Sequence, residues 1–414
     1  MDSSASVWAE SRRQVDVLVV GAGPGGSALA ILLARAGLKV MVVDRAAFPR
    51  DKACSEYMGP GAVRILDRLG VLETLEAAGA ATPAGTVVTA AYGSRLHGRF
   101  AQAGHRPFRP TGLSVSRRIL DHTLVDAARA AGAEISERST VEELLYHRGA
   151  VSGALVRDVR GTRYALRARL TVGADGLRSV VARRIGRRRT GVPRRIAFVA
   201  HVDGVEGMGD SAELQVGRRG YVGLNPIGGG RTNVALVLPA SRVAAAHGRV
   251  ESFFLETLAQ FPAVQRRVVP GVMTRRVLVT GPFAAWSGRV TVDGAALIGD
   301  AADFFDPFTG EGIYSALRGA ELLADTAIAA PSRGGPVSAA ALAPYRRARR
   351  RTFAGKWAVE RLIGYAMWWP GLFDRAVARL GRREGMAHTL IGVTGDFVPA
   401  GKVLHPLFLA RMVL

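Results

Sequence analysis

The chain has 414 residues, and 48% of them are hydrophobic, which is enough to bury a large core and to form about two or three domains. Lysine and arginine together number 56 against 34 acidic residues, for a formal net charge of +22. Almost all of these cations are arginines, and their clusters lack the interleaved aromatic residues that stack bases. The scattered positions of the cations and the missing aromatic residues therefore argue against a nucleic-acid-binding protein, whereas attraction to an anionic membrane, an acidic carrier protein or a phosphorylated substrate stays open.

Other classes of protein are disfavoured by what the sequence lacks. It has no charge-free run of about 20 apolar residues and no signal-peptide core, so we expect a cytoplasmic protein without a membrane span, with peripheral membrane contact as an open alternative. The single cysteine, Cys54, excludes an internal disulfide. The eight histidines are dispersed, so we predict no metal site. No pattern indicates an oligomeric state.

The most informative segment lies at residues 16–26. An apolar run leads into the pattern Gly21-x-Gly23-x-x-Gly26, a helical segment follows, and a second apolar run ends in Asp44, where an acid can accept a ribose hydroxyl. This is a βαβ unit of the dinucleotide-binding type. Gly21 permits the turn, Gly23 lets the backbone approach a diphosphate at the helix N-terminus, and Gly26 lets helix and strand pack closely.

After the βαβ unit, the chain continues with a charged loop and then with segments in which apolar and polar residues alternate. The loop at residues 48–60 contains Cys54, and its charge beside a dinucleotide site predicts that it belongs to that site. A helix is predicted at 61–69. The runs at 87–100 and 196–238 then alternate apolar and polar residues with glycine-rich breaks, which predicts strands of an antiparallel sheet.

Three further segments point to the same ligand. Arg117 opens a helix predicted at 119–131, where its guanidinium can reach a phosphate. A Gly-Asp turn at 173–176 follows a short predicted strand. Residues 299–313 carry Asp300 at a strand end, where it can accept a ribityl hydroxyl, and glycines before a helix. The exposed N–H groups there suit the N1/O2 side of a flavin ring.

These elements predict an α/β fold with a Rossmann-like FAD-binding domain that is discontinuous, an antiparallel β-sheet substrate domain, and a C-terminal helical extension. The C-terminal part mixes arginine with tryptophan and phenylalanine. It either lies on a membrane surface or packs over the substrate domain, and the second arrangement is favoured. The predicted boundaries are 15–75, 111–186 and 290–330 for the FAD-binding domain, 76–110 and 187–289 for the substrate domain, and 331–414 for the helical region.

In the order of its motifs, the sequence resembles flavoproteins of the para-hydroxybenzoate hydroxylase type and, within them, the geranylgeranyl reductase family. The motifs that carry this resemblance are the glycine unit with Asp44, the Phe-Pro-Arg-Asp-Lys-Ala-Cys run that ends at Cys54, Arg117, the turn at 173–176, and residues 299–313. The resemblance implies that the protein binds FAD. It also implies that NAD(P)H serves as a transient reductant without a Rossmann domain of its own.

The resemblance assigns roles to individual residues. It implies that Asp44 binds the adenosine ribose, Arg117 the diphosphate and Asp300 the ribityl chain, and that the backbone of Val141 meets the adenine. The other residues that it places at the cofactor are Arg45, Pro307, Gly310, Gly312 and Ile313.

Departures from the family patterns narrow the chemistry. Ring hydroxylases usually carry Gly-Asp-Ala-Ala-His and Pro-Pro in the last motif, where this chain has Asp303 and Asp306-Pro307, which favours the reductase branch. Halogenases need a relay lysine and a Trp-x-Trp-x-Ile-Pro segment, but the chain has no lysine between 52 and 356 and no tryptophan between 8 and 286. The reductases' Tyr-x-Trp-x-Phe-Pro segment here keeps Tyr221 but has Gly223 in place of tryptophan, which enlarges the pocket and favours a bulkier or cyclised substrate.

We therefore expect an FAD-dependent, NAD(P)H-consuming oxidoreductase that acts on an apolar prenylated or polycyclic metabolite. Two chemistries stay open: double-bond reduction, with Cys54 or Tyr221 as candidate catalytic proton donors, and oxygenation through a flavin C4a-hydroperoxide. A purely structural role for Cys54 in its loop is equally open. A non-catalytic flavin-binding redox or carrier-docking module is the alternative from another class.

Overall fold

The computed structural model describes residues 9–246, 248–268, 272–330 and 335–413. Its strands in chain order are β1 (Ala9–Val20), β2 (Val40–Val43), β3 (Tyr57–Met58), β4 (Gly85–Thr89), β5 (Arg95–Arg99), β6 (Leu113–Ser114), β7 (Glu134–Ser136), β8 (Thr140–His147), β9 (Ala150–Arg157), β10 (Arg163–Gly173), β11 (Arg188–Thr190), β12 (Arg195–Asp203), β13 (Ala212–Gly217), β14 (Gly220–Pro226), β15 (Arg231–Pro239), β16 (Leu278–Thr280), β17 (Ala285–Ser287), β18 (Thr291–Val292), β19 (Ala295–Leu297) and β20 (Asp303–Phe304).

The α-helices in chain order are α1 (Pro24–Arg35), α2 (Pro60–Leu69), α3 (Leu72–Ala77), α4 (Arg117–Ala130), α5 (Val180–Ile185), α6 (Val250–Leu258), α7 (Pro262–Gln265), α8 (Gly312–Ile328), α9 (Ala343–Ala366), α10 (Pro370–Arg382), α11 (Glu384–Thr394), α12 (Gly401–Leu404) and α13 (Pro406–Val413).

The first sheet is built on parallel pairs. Strands β7, β2, β1, β10 and β19 lie side by side in that order and run parallel, and β8, β9 and β18 join the sheet in antiparallel pairings. Helices α1, α2, α4 and α8 pack on one face, while α5 and the β8–β9 hairpin pack on the other. Because both faces are covered there, residues 17–20 of β1 and all four residues of the neighbouring β2 are apolar and buried. The predicted Rossmann-like fold class is confirmed.

The carboxyl ends of four strands of this sheet meet at one edge. In the strand register, Val20 lies opposite both Val43 and Gly173, and Gly173 lies opposite Leu297. The segments that follow these residues therefore converge, although they are far apart in the sequence. In open α/β sheets this edge is where ligands bind.

The second sheet has the order β16-β12-β15-β14-β13-β4-β5, and its pairings are antiparallel except between β13 and β4. One face packs against α6, where Phe253, Phe254 and Leu258 are buried. The opposite face, which includes Val199 and Val237, belongs to a separate apolar cluster with Phe308 of the 299–313 segment and residues of α10. The sheet thus has one core face and one face toward the site.

The C-terminal helices pack against the second sheet. Phe373, Val377 and Leu380 of α10 are buried in the cluster that contains Val199 and other residues of the site-facing side. This is the packing that the sequence favours, and it covers one side of the site. No helix in the part of the chain that the structure describes is both long enough and apolar enough to cross a membrane. The domain boundaries and any peripheral membrane contact stay predictions.

Candidate functional site

A cavity of about 220 Å³ lies between the carboxyl edge of the first sheet and the apolar face of the second. Its wall brings together most of the residues that the sequence analysis singles out. The predicted residues that line it are Gly23, Cys54, Arg117, Tyr221, Asp300, Pro307, Gly310, Gly312 and Ile313. The predicted residues that do not line it are Gly21, Gly26, Asp44, Arg45 and Val141.

The glycine turn between β1 and α1 leaves open space at the helix N-terminus. A Cβ on Gly26 would lie 1.9 Å from the carbonyl oxygen of Gly21, so close packing of the turn requires glycine there. At Gly23 the nearest atoms to an added Cβ are Nη2 of Arg117, at 3.8 Å, and Nη2 of Arg50, at 3.9 Å. Helix N–H groups and two guanidiniums thus surround one space, which is a built anion site.

Three cations and one carboxylate lie around this space. Arg117 donates from Nε and Nη2 to the two oxygens of Asp121, at 2.7 and 2.8 Å, and Nη1 of Arg50 lies 2.9 Å from Oδ2 of the same carboxylate. Burial lowers the pKa of Lys52, and the neighbouring charge of Arg117 lowers it further. Burial also lowers the pKa of Arg50. The group carries a net positive charge, and the diphosphate of FAD fits it.

Arg50 and Lys52 belong to this group of charges, although the sequence reasoning does not single them out. Both lie in the charged loop that runs up to Cys54, so the signal for them is the motif itself rather than either residue alone. Lys52 lines the cavity. The positive charge of the loop therefore lies beside the N-terminus of α1.

Asp44 contacts backbone in this structure. Its Oδ2 accepts a hydrogen bond from the N–H of Ala22, and its Oδ1 accepts one from Ala46, both at 2.8 Å. The carboxylate therefore ties the end of β2 to the glycine turn, and each oxygen keeps a lone pair for a ribose hydroxyl. Arg45 beside it is exposed. Ribose binding by Asp44 and cofactor contact by Arg45 stay predictions.

Val141 reaches the same neighbourhood through the backbone. The N–H of Ser139 donates to the carbonyl of Asp44, at 2.9 Å, and that of Arg138 donates to Ala46, at 3.0 Å. Val141 follows on β8 with its side chain buried. The segment expected to meet the adenine thus lies against the segment expected to hold the ribose.

Residues 299–313 form the opposite wall. Asp300 follows β19, and burial raises the pKa of its carboxyl group, although the charges of Lys52 and Arg117 oppose this. Asp306 accepts a hydrogen bond from the N–H of Phe308, at 3.0 Å, and so closes a tight turn. Helix α8 begins directly after the turn, with its N-terminal glycine on the cavity wall. The geometry suits a ribityl chain and the pyrimidine end of a flavin.

Tyr221 joins the second sheet to this turn. Its hydroxyl donates to Oδ1 of Asp306, at 2.7 Å, and Nη1 of Arg195 lies 2.5 Å from Oδ2. Burial raises the pKa of Tyr221 well above its usual value, and the charge of Asp306 raises it further. Tyr221 therefore stays protonated, with its proton directed at Asp306.

The second sheet lines the cavity with every second residue of three neighbouring strands. Because side chains alternate between the faces of a sheet, these positions share one face. They are Ala197 and Val199 on β12, Ala235 and Val237 on β15, and Tyr221 and Gly223 on β14. An added Cβ at Gly223 would meet no atom nearer than 3.6 Å. This strip is the apolar wall of the cavity, and the missing side chain at Gly223 widens it.

Cys54 lies on the cavity wall at the end of this strip that is farther from Tyr221. Its sulfur accepts a hydrogen bond from the N–H of Glu56, at 3.3 Å, and also interacts with Arg117. The carbonyls of Cys54 and Ser55 accept hydrogen bonds from side-chain amides of the second sheet. The cysteine is thus held where the diphosphate site meets the apolar strip.

A buried ion cluster connects the C-terminal helices to the cofactor motif. Nζ of Lys356 on α9 lies 3.3 Å from Oε1 of Glu311, the residue that precedes α8, and it also pairs with Asp396. The same ammonium lies 4.3 Å from the ring centre of Tyr314. The sequence analysis does not predict this cluster, because its members become neighbours only through tertiary packing. Among the described residues, no three His, Cys, Asp or Glu side chains are grouped as a metal site.

Comparisons with known proteins point to flavoproteins. The model of the family described as "FAD binding domain" matches residues 14–358. Digeranylgeranylglycerophospholipid reductase 1 of Methanococcoides burtonii is 30% identical over 360 residues, which cover 84% of this chain and 83% of the relative.

Solved structures share the fold at lower identity. A flavoprotein/dehydrogenase from Cytophaga hutchinsonii superposes with a TM-score of 0.84 at 20% identity, covering 96% of each chain. A geranylgeranyl bacteriochlorophyll reductase-like protein from Thermoplasma acidophilum gives 0.76 at 21% identity, covering 97% of this chain and 99% of its own. Both likenesses concern the fold.

Proposed function

Because this chain belongs to the FAD-binding domain family and, within it, to the geranylgeranyl reductases, we propose that it uses NAD(P)H to reduce a double bond of an apolar prenylated or polycyclic metabolite. It is an FAD-dependent oxidoreductase, which excludes the alternative of a non-catalytic flavin-binding module. The observation that supports the substrate class is the apolar strip of the second sheet, which faces the turn at 306–310 across the cavity.

The chain's own residues divide the work. Arg50, Lys52 and Arg117 would hold the diphosphate of FAD against the N-terminus of α1, and Asp300 would hold the ribityl chain. Bound FAD supplies hydride once NAD(P)H has reduced it. The apolar strip would hold the substrate and keep water away from the reacting carbon, because most of its side chains cannot bind water.

The proton that completes the reduction has two candidate sources, and they lie far apart. Tyr221 stands four residues before Asn225 on β14, and Cys54 lies beside the Asn225 end, so about 13 Å separate the two ends of the strip. The two donors are therefore attached to the backbone at opposite ends of the strip. We favour Cys54, because the proton of Tyr221 is already engaged by Asp306.

Oxygenation is the second candidate function. The observation that favours it is the space at Gly223, where the family's aromatic lid would otherwise exclude oxygen. Parallel anaerobic and aerobic incubations of the protein with NADPH and geranylgeraniol separate the two. Product heavier by two hydrogen atoms supports reduction, and product that needs oxygen and gains an oxygen atom supports oxygenation. A lack of NADPH-dependent product from prenyl and polycyclic test substrates would remove both.

A further inference from the structure

The loop that carries Cys54 is held by a row of polar side chains in the middle of the second sheet. His201 on β12, Asn233 on β15 and Asn225 on β14 lie next to one another in the strand register, with Asn233 opposite both of the others. Their exposed fractions are 5%, 1% and 5%. Three buried polar side chains in otherwise apolar strands require partners, because an unpaired buried polar group destabilises the fold.

Each member of this polar row binds one of three consecutive loop residues. Nδ2 of Asn233 donates to the carbonyl of Cys54, at 2.8 Å, and Nδ2 of Asn225 donates to that of Ser55, at 3.0 Å. Nε2 of His201 lies 2.6 Å from Oε2 of Glu56. Because each of the three side chains binds a different loop residue, the row fixes the position of the loop along the strands as well as its distance from the sheet.

The loop needs this support because of its own conformation. Glu56 has a φ of 59° and is fully buried, a combination that a non-glycine residue keeps only when its surroundings hold it there. Its second carboxylate oxygen accepts a hydrogen bond from the N–H of Arg117, at 2.9 Å. The polar row is therefore connected through Glu56 to the arginine of the diphosphate site.

The chain contains two asparagines in all, Asn225 and Asn233. Both lie in this row on the cavity-facing side of the sheet. On the same face, the positions two and four residues away are mostly apolar, and they form the strip described above. The row thus marks the end of the apolar strip and the beginning of the cofactor loop.

We propose that His201, Asn225 and Asn233 are positioning residues that set where the Cys54 thiol stands at the junction of the apolar strip and the diphosphate site. They act through the loop. The two amides hold carbonyls that the cavity would otherwise leave unpaired, and His201 holds the carboxylate that maintains the unusual turn at Glu56. The proposal concerns the place of the thiol and holds for either chemistry, so its failure would leave the proposed function standing.

The single cysteine makes a direct test available. Asn225→Leu and Asn233→Leu keep the side-chain volume and remove the donor. In the FAD-bound protein, the alkylation rate of Cys54 by iodoacetamide, followed by intact mass, is expected to rise about fivefold in each variant and about 30-fold in the double variant. His201→Gln keeps a donor toward Glu56 and is expected to stay within about twofold of the parent, whereas His201→Leu behaves like the asparagine variants.

The control is Thr232→Val, which removes a buried hydroxyl from the neighbouring position on β15, on the opposite face. It is expected to lower the melting temperature without changing the alkylation rate, which separates a positioning effect from general loosening. The FAD absorbance spectrum confirms that each variant is folded and loaded. Equal alkylation rates in the parent and in a loaded asparagine variant would overturn the proposal, as would an increase in Thr232→Val of the same size.

Discussion

The two sheets of this protein contribute to one cavity by different means. The parallel sheet places its functional residues in segments that follow strand ends, where Gly23, Asp44 and Asp300 lie in short motifs rich in glycine and acid. The second sheet places them inside strands, where Tyr221 and Asn233 have apolar neighbours along the chain. A strand-end motif can be recognised locally. A functional residue inside a strand shows itself only as a polar side chain where an apolar one would pack, and its role depends on what the neighbouring strand brings opposite.

This contrast predicts that substitutions in the two regions separate cofactor binding from substrate binding. A change at a strand end of the parallel sheet should remove FAD and leave the apolar strip intact. A change within the strip should do the reverse. The buried ion cluster at Lys356 lies where the C-terminal helices meet the cofactor motif, and it should affect both.

The largest effect is expected for Lys356→Met. The substitution leaves the buried carboxylates of Glu311 and Asp396 without their cation, and breaking such a buried pair lowers the free energy of unfolding by about 3–5 kcal/mol. Urea unfolding measures the change. Lys402→Met is the matched control, because Lys402 is exposed, and it should change stability by less than about 0.5 kcal/mol. Similar midpoints for the two variants would mean that the cluster does not join the two regions.

Asp300→Ala comes next and tests the parallel sheet alone. Loss of a charged hydrogen-bond acceptor for the ribityl chain should weaken FAD affinity by about 10- to 100-fold. The FAD absorbance of the purified protein and titration of the stripped protein report it. Asp67→Ala, at an exposed position on α2 outside the cavity wall, serves as the control and should stay within about twofold. Full flavin content in the Asp300 variant would refute the ribityl assignment.

Gly223→Trp tests the second sheet alone. An indole at this position would occupy the open part of the cavity wall, since nothing stands within 3.6 Å of the added Cβ. We expect KM for a polycyclic substrate to rise about tenfold while FAD content stays unchanged. Gly223→Ala should have little effect on either quantity, because a methyl group fits the space. A parallel loss of FAD in the tryptophan variant would show that the two sheets are not separable.

The smallest effect concerns pH and Lys52. Its pKa lies below the usual 10.5 because of burial, so its positive charge is lost at a lower pH than that of an ordinary lysine. As the pH rises through this range, FAD affinity should fall. The stability of the flavin-free protein should rise over the same range, because the unfolded chain there binds more protons than the folded one. In Lys52→Met, the FAD affinity measured by titration and the free energy of unfolding measured in urea should both lose this pH dependence. A pH dependence that persists would assign it to another group.

The sequence by itself determined the α/β class, the binding of FAD and the membership of the reductase-like family. Those features rest on short segments, and a parallel sheet with helical crossovers brings the carboxyl ends of its strands to one edge whatever lies between them. Gly23 and Asp300 could therefore be assigned to one site while they were still far apart in the chain. Arg117 follows β6, outside this sheet, and was assigned from its place at a helix start and from the family resemblance.

Only the tertiary structure decided the polar row, the partner of Tyr221 and the ion cluster at Lys356. The row exists because β12, β15 and β14 pair in one register, and a slip of one residue would turn His201, Asn225 and Asn233 to the opposite face. Asp306 and Tyr221 come from different parts of the chain and meet only when the turn before α8 packs on the second sheet. Contacts of this kind depend on register and packing between distant segments, which no local pattern of residues records.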